Sequence, residues 1–147
     1  MKRPRNSELA QLVDPMAARL GYQLRRVSVL MMADLGARLA PTGLRPAEVS
    51  ILLLIGANAG CRQGEVGDSL GIKRANMVPL VAGLVTSGMV ARARADGRSH
   101  ALSLTSKGSA TAAAVNKLLD RHELEFRSRL DKQALAGLFD SLAKLRG

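Results

Sequence analysis

The side chains best equipped for chemistry in this chain are cations and one amide that lie between positions 73 and 99. Lys73, Arg74 and Asn76 stand almost side by side, and Arg92, Arg94, Arg98 and Ser99 follow. A guanidinium presents two parallel donors to the acceptors on the guanine edge, and a carboxamide presents the donor–acceptor pair that adenine requires. Arginines two residues apart suit phosphate oxygens, which fix register without reading sequence. A second set, Arg19, Tyr22, Arg25, Arg26 and Arg38 early in the chain and His122 late in it, offers cations and hydrogen bonds to a small anion. No nucleophile elbow, phosphate-binding loop or carboxylate constellation occurs, so an enzyme is not expected. His100 and His122 lack metal-ligand spacing, and neither a metal nor a cofactor is expected. Cys61 is the only cysteine, which excludes an intrachain disulfide and leaves no second thiol to resolve a sulfenic acid. It reads as a small apolar packing residue.

Composition narrows the partner. Lys plus Arg number 22 against 12 Asp plus Glu, a net charge of +10 on 147 residues. Such an excess on a single-domain chain suggests a polyanion, and nucleic acid leads that list. The middle third is the most one-sided, since Glu65, Asp68 and Asp96 are its only acids between positions 61 and 108. No apolar run approaches the roughly 18 residues of a membrane span, and the basic start Met1-Lys2-Arg3-Pro4-Arg5 has no apolar stretch behind it. A cytoplasmic protein without a membrane partner is expected. Tyr22, Phe126 and Phe139 are the only aromatic residues, so the core must be aliphatic.

The elements that must position the cations are helical. Asp14-Pro15 forms a helix-start signal, and Leu20, Leu24, Val27, Met31 and Leu35 recur at steps of three and four up to the stop at Pro41-Thr42-Gly43. Ser7 to Val13 suggests a short leading helix. Pro46 opens a second helix, with Val49, Leu52 and Leu53 inward. Glu65 to Ile72 reads as a short helix closed by glycine, followed by an amphipathic helix from Arg74 to Ser87 with Met77, Leu80, Val81 and Leu84 inward. This is a helix-turn-helix, whose second helix enters the major groove by its N-terminal end. Two alternating segments around Asp96-Gly97 form a hairpin, a wing, with Arg98 at its tip suited to the minor groove. Thr105 and Asp131 can cap two further helices. The end helices carry more apolar stripe than the central unit can absorb, which predicts pairing with a second copy. The fold class is therefore mainly α with a small β-hairpin wing: a winged helix-turn-helix flanked by dimerisation helices.

The run from Leu44-Arg45-Pro46 to Leu104-Thr105-Ser106-Lys107-Gly108 resembles the MarR family of bacterial transcriptional regulators. The motifs that carry the resemblance are Gly71-Ile72, Leu80-Val81 with Leu84, Ser87-Gly88-Met89-Val90 and Asp96-Gly97-Arg98-Ser99, in family order. The resemblance implies an obligate homodimer on a pseudo-palindromic double-stranded DNA operator. It also implies release by a small anionic aromatic effector, an aromatic acid or its coenzyme A thioester, held between the dimer helices and the DNA-binding lobe. Three segments follow: 1–43 for an N-terminal arm and dimerisation helix, 44–105 for the DNA-binding lobe, and 106–147 for the C-terminal dimerisation helices. The chain departs from the family pattern at Lys73, where a capping Asp, Ser or Thr is usual, at Arg45, another capping position, and at Pro79, where arginine is common. The expected function is a ligand-released repressor. The alternatives are a constitutive regulator or activator without effector, and a winged-helix protein-interaction module.

Overall fold

The computed structural model describes residues 12–94 and 100–147. Its core joins Leu35 and Leu39 to Val49, Ile51, Leu52 and Ile55, then to Val66, Met77, Val81, Leu84, Val90, Leu102 and Val115, all of them buried. These residues come from nearly every element, in the order α1 (Leu20–Leu39), a 3-10 turn (Ala40–Thr42), α2 (Pro46–Ala57), β1 (Cys61–Arg62), α3 (Gln63–Leu70), α4 (Arg74–Thr86), β2 (Val90–Arg94), β3 (His100–Leu104), α5 (Ser106–Arg127) and α6 (Lys132–Arg146). The three strands form one antiparallel sheet in the order β1-β3-β2. The architecture is a mainly α winged helix-turn-helix.

Several details differ from the sequence expectation. The first helix begins at Leu20, because Asp14 caps only a turn: its Oδ1 accepts the Met16 N–H at 2.9 Å. The expected leading helix at Ser7 to Val13 falls mostly outside the described residues, and Leu12 and Val13 are not helical. The wing gains a third strand, in which Cys61 pairs with Leu102 and Arg62 with Ala101. Pro79 does not break α4, which runs through it from Arg74 to Thr86.

Two arginines occupy helix N-caps that usually carry an oxygen. A guanidinium has no acceptor, so the caps are made from the other side. Glu48 Oε2 accepts the Arg45 N–H at 2.8 Å, and Glu65 Oε2 accepts the Arg62 N–H at 2.7 Å. Thr105 and Asp131 cap α5 and α6 conventionally, accepting from Gly108 N at 3.0 Å and Ala134 N at 2.8 Å.

The apolar stripe of α1 is divided. Its C-terminal part, Leu35 and Leu39, enters the core, whereas Leu20 and Val27 are 58% and 53% exposed. Helix α6 contributes no buried residue, and its Phe139 is 52% exposed. No single helix among the described residues is long and apolar enough to cross a membrane.

Candidate nucleic-acid interface

Helix α3 ends in Gly71, whose φ of +64° is a left-handed conformation that glycine adopts without strain. Its N–H bonds back to the Asp68 carbonyl at 3.2 Å, and the Ile72 N–H reaches Gly67 O at 2.9 Å. The turn delivers Lys73 as the N-cap of α4. From there Met77, Val81 and Leu84 are buried, which rolls Lys73, Arg74 and Asn76 outward; all three are exposed. Lys73 supplies no side-chain cap. Its carbonyl accepts the Asn76 and Met77 N–H groups at 2.9 and 3.1 Å.

The sheet register settles which way the wing arginines face. Arg92 pairs with Leu102 and Arg94 with His100. Paired residues share a face, and so do residues two apart along a strand. Leu102 is buried in the core. Arg92, Arg94 and His100 therefore continue the core face of the sheet outward, on the side of the helix-turn-helix. Arg92 Nη2 donates to Gln63 Oε1 at 3.4 Å, tying β2 to the first residue of α3. Arg98 and Ser99 lie outside the described residues.

The far end of α4 is fixed to the start of α5. Lys107 Nζ donates to the Ser87 carbonyl at 2.7 Å, Thr105 Oγ1 donates to Gly88 O at 2.5 Å, and the Thr105 N–H bonds to Met89 O at 3.1 Å. Gly108 packs directly on Met89, and a Cβ there would be driven into the Met89 carbonyl. The start of α5 is thus tied to the end of the recognition helix by three hydrogen bonds and a close backbone contact.

The other candidate group does not form one site. Arg19 and Arg25 are exposed, and Arg26 lies over the Tyr22 ring, 5.6 Å from its centroid, with Asp14 at 3.5 Å. Arg38 and His122 meet instead at Asp34, a residue without a role in the sequence reading. Arg38 Nε donates to Asp34 Oδ2 at 2.6 Å, and the same oxygen lies 2.8 Å from His122 Nδ1. Arg38 also pairs with Glu125, which joins α1 to α5 a second time. His122 is 2% exposed and packs against Phe126. The hydrogen bonds from Arg38 and then His122 hold the Asp34 carboxyl below its ordinary value, and the carboxylate in turn raises the Arg38 guanidinium. Asp34 and His122 are 88 residues apart, so nothing local in the sequence announces the pair. Cys61 is half-buried, and burial followed by the nearby Glu65 charge pushes its thiol up, away from the reactive thiolate. Among the described residues no group of three or more His, Cys, Asp or Glu side chains is placed to hold a metal ion.

A sequence profile of the MarR family matches residues 42–99, which includes α2, the helix-turn-helix and the first wing strand, β2. A solved transcriptional repressor, CouR, bound to p-coumaroyl-CoA, is 35% identical, with 92% of this chain and 97% of that one superposed at a TM-score of 0.84. The chain belongs to the MarR family. A CouR structure bound to a 23-mer DNA duplex is 36% identical over 99% of this chain and 100% of that one, with a TM-score of 0.83. A Mycobacterium tuberculosis MarR-family protein, Rv2887, in complex with p-aminosalicylic acid is 26% identical over 88% and 100% of the two chains, with a TM-score of 0.71. No curated relative matches the sequence. The CouR structures that this chain resembles are of a transcriptional repressor.

Proposed function

We propose that this chain is a homodimeric, ligand-released repressor acting on a palindromic DNA operator in the cytoplasm. The observation that carries the reading is the outward display of Lys73, Arg74 and Asn76 beside Arg92 and Arg94, which project from the sheet face on the same side. In this reading Arg74 and Asn76 read base edges, Lys73, Arg92 and Arg94 hold phosphates, and Arg98 with Ser99 engages the minor groove. Residues 44–105 act as the DNA-binding lobe. Residues 1–43 and 106–147 supply the dimer helices, whose exposed apolar faces a second copy would cover.

Release follows from geometry. Two recognition helices must stand about 34 Å apart to enter successive major grooves. A ligand that binds better at another spacing shifts the population away from DNA, by its differential affinity alone. The CouR complex with p-coumaroyl-CoA and the Rv2887 complex with p-aminosalicylic acid favour an anionic aromatic effector, free or as a coenzyme A thioester. Arg19, Arg25 and Arg26, with Tyr22, are the first cations such an anion would meet. Arg38 already holds two carboxylates through Nε and Nη2, so an anion that reaches its remaining Nη1 donors competes with Asp34 and Glu125 for its charge, and His122 sets Asp34 behind it.

Fluorescence anisotropy on labelled duplexes from the protein's own promoter region tests the reading. A dimer is expected to bind one duplex tightly in dilute salt and to lose affinity steeply as salt rises. Titrated p-coumaroyl-CoA or an aromatic acid is expected to release it. A monomer indifferent to DNA overturns the proposal, and tight binding that no such ligand reverses leaves a constitutive regulator.

A further inference from the structure

From Met77 to Val85 helix α4 carries no nitrogen- or oxygen-bearing side chain, yet part of that stretch lies on the open surface. Met77, Val81 and Leu84 turn into the core, whereas Val78, Pro79 and Gly83 are exposed, Val78 by 50%. We infer that Val78, with Pro79 and Ala75 beside it, reads thymine through its C5-methyl group, so that selection beyond the first turn of α4 is apolar. The inference rests on the DNA-binding function proposed above and adds to Arg74 and Asn76 a residue that selects a methyl group instead of a hydrogen-bonding edge.

Three observations carry it. First, residues four apart on a helix are neighbours on its surface. Val78 stands one turn beyond Arg74, Pro79 stands one turn beyond Ala75, and all four are exposed. The apolar patch therefore continues the cationic end of the helix. It is also separate from α1 and α6, whose apolar faces are assigned above to a second copy.

Second, the charge around the patch suits a polyanion. Lys73 and Arg74 border it, and α4 contains no acidic residue. On the edges that bases show in the major groove, the thymine methyl is the one apolar group. The amino and carbonyl groups of the other edges would lose their water against Val78 and Pro79 and gain no partner. A methyl loses only the water that apolar contact releases.

Third, the patch is stiff and low. A β-branched side chain in a helix has one strongly preferred rotamer, and the proline ring is fixed. One turn further on, a Cβ on Gly83 would meet nothing within 4 Å, so the missing side chain leaves open space beside the helix. Such a surface can come close to base edges at little entropic cost.

The test uses the full-length protein and an operator duplex in which each thymine is replaced in turn by deoxyuridine, which removes the methyl and keeps the pairing edge. Wild type is expected to lose about fourfold in affinity per half-site at one or two thymines, the worth of one buried methyl, and nothing at the rest. At those positions a C·G pair should bind worse than T·A, and 5-methylcytosine in place of cytosine should recover about fourfold. Val78→Ala is expected to weaken binding to the thymine duplex and to lose most of the sensitivity to uracil, whereas Val78→Ile keeps it. Arg74→Ala, weaker overall, should keep it too. Circular dichroism melts establish that each variant folds. Specific operator binding that no uracil exchange weakens, or a weakening that folded Val78→Ala leaves unchanged, overturns the methyl contact and leaves the regulator reading standing. Equal losses by Val78→Ala on operator and scrambled duplex overturn it as well. Unaltered affinity of Val78→Ala for every duplex would take the patch off DNA and assign it to an apolar protein partner, again against the inference. Wild-type protein that binds neither duplex overturns both readings.

Discussion

Arg74 and Asn76 project from the first turn of α4, and the two side chains are expected to differ from the wing arginines in what their loss does. An Arg74→Ala variant should cost about 1–3 kcal/mol on the operator and relax preference at one base pair, as loss of a bidentate guanine contact does. Binding to a panel of operators with single base-pair changes measures this, and a uniform loss across the panel would make Arg74 a phosphate contact. Asp34 makes a different prediction. Because its folded carboxyl titrates below the unfolded value of about 3.9, the Arg38–Asp34–His122 link contributes stability above that pH and loses it as pH falls through the lower folded value. An Asp34→Asn protein should therefore be less stable than wild type at neutral pH and converge with it at the acid end of a series of denaturant melts. A constant gap down to acid would deny the link its electrostatic character. Arginines also cover every aromatic ring in the chain, Arg26 over Tyr22, Arg129 over Phe126 and Arg127 over Phe139. Such pairs add a modest cation–π attraction at exposed sites.

At the scale of elements, the joint between α4 and α5 and the proline inside α4 have opposite expected effects on stability. Gly108→Ala drives a methyl into the Met89 carbonyl, so the start of α5 must shift away from the end of the recognition helix. A loss of about 1–3 kcal/mol is expected, as for overpacking elsewhere, while Ser109→Ala at the next, exposed position should be nearly silent. Equal melting of the two variants would show that the joint is loose. Pro79 withholds a backbone donor inside a continuous helix, so Pro79→Ala is expected to raise the thermal midpoint, by up to about 3 kcal/mol of stability. A lower midpoint would mean that the ring packs usefully. The helices, their glycine stops and the caps at Thr105 and Asp131 were legible because each depends on residues a few positions apart. Strand β1 was not, since two residues carry no periodicity and exist as a strand only by pairing with Leu102 and Ala101. The same holds for Asp34, whose partner His122 arrives from another helix. The arginines of the wing were legible as a pair on one face, but that this face is the core side needed the register of Arg92 against Leu102.

For the molecule as a whole, the exposed apolar residues of α1 and α6 set the argument. Leu20 and Val27 are more than half exposed although their spacing predicts burial, Phe139 on α6 is as open, and large exposed apolar surfaces mark contact faces. In the proposed dimer, a second copy that covers them also sets the distance between the two recognition helices. The proposal therefore couples pairing to DNA binding: each subunit alone would offer one half-site contact, and only the pair would present two at the spacing of a helical turn. Val27→Asp and Phe139→Asp place a charge in the proposed contact without touching the core or the cations beside α4. Sedimentation equilibrium is expected to show wild type as a dimer and the double variant as a folded monomer. Operator affinity should fall at least 100-fold, while the weaker, salt-sensitive binding to scrambled duplex persists. A double variant that stays dimeric would place the contact on another face, and a monomer that keeps full operator affinity would separate pairing from recognition altogether.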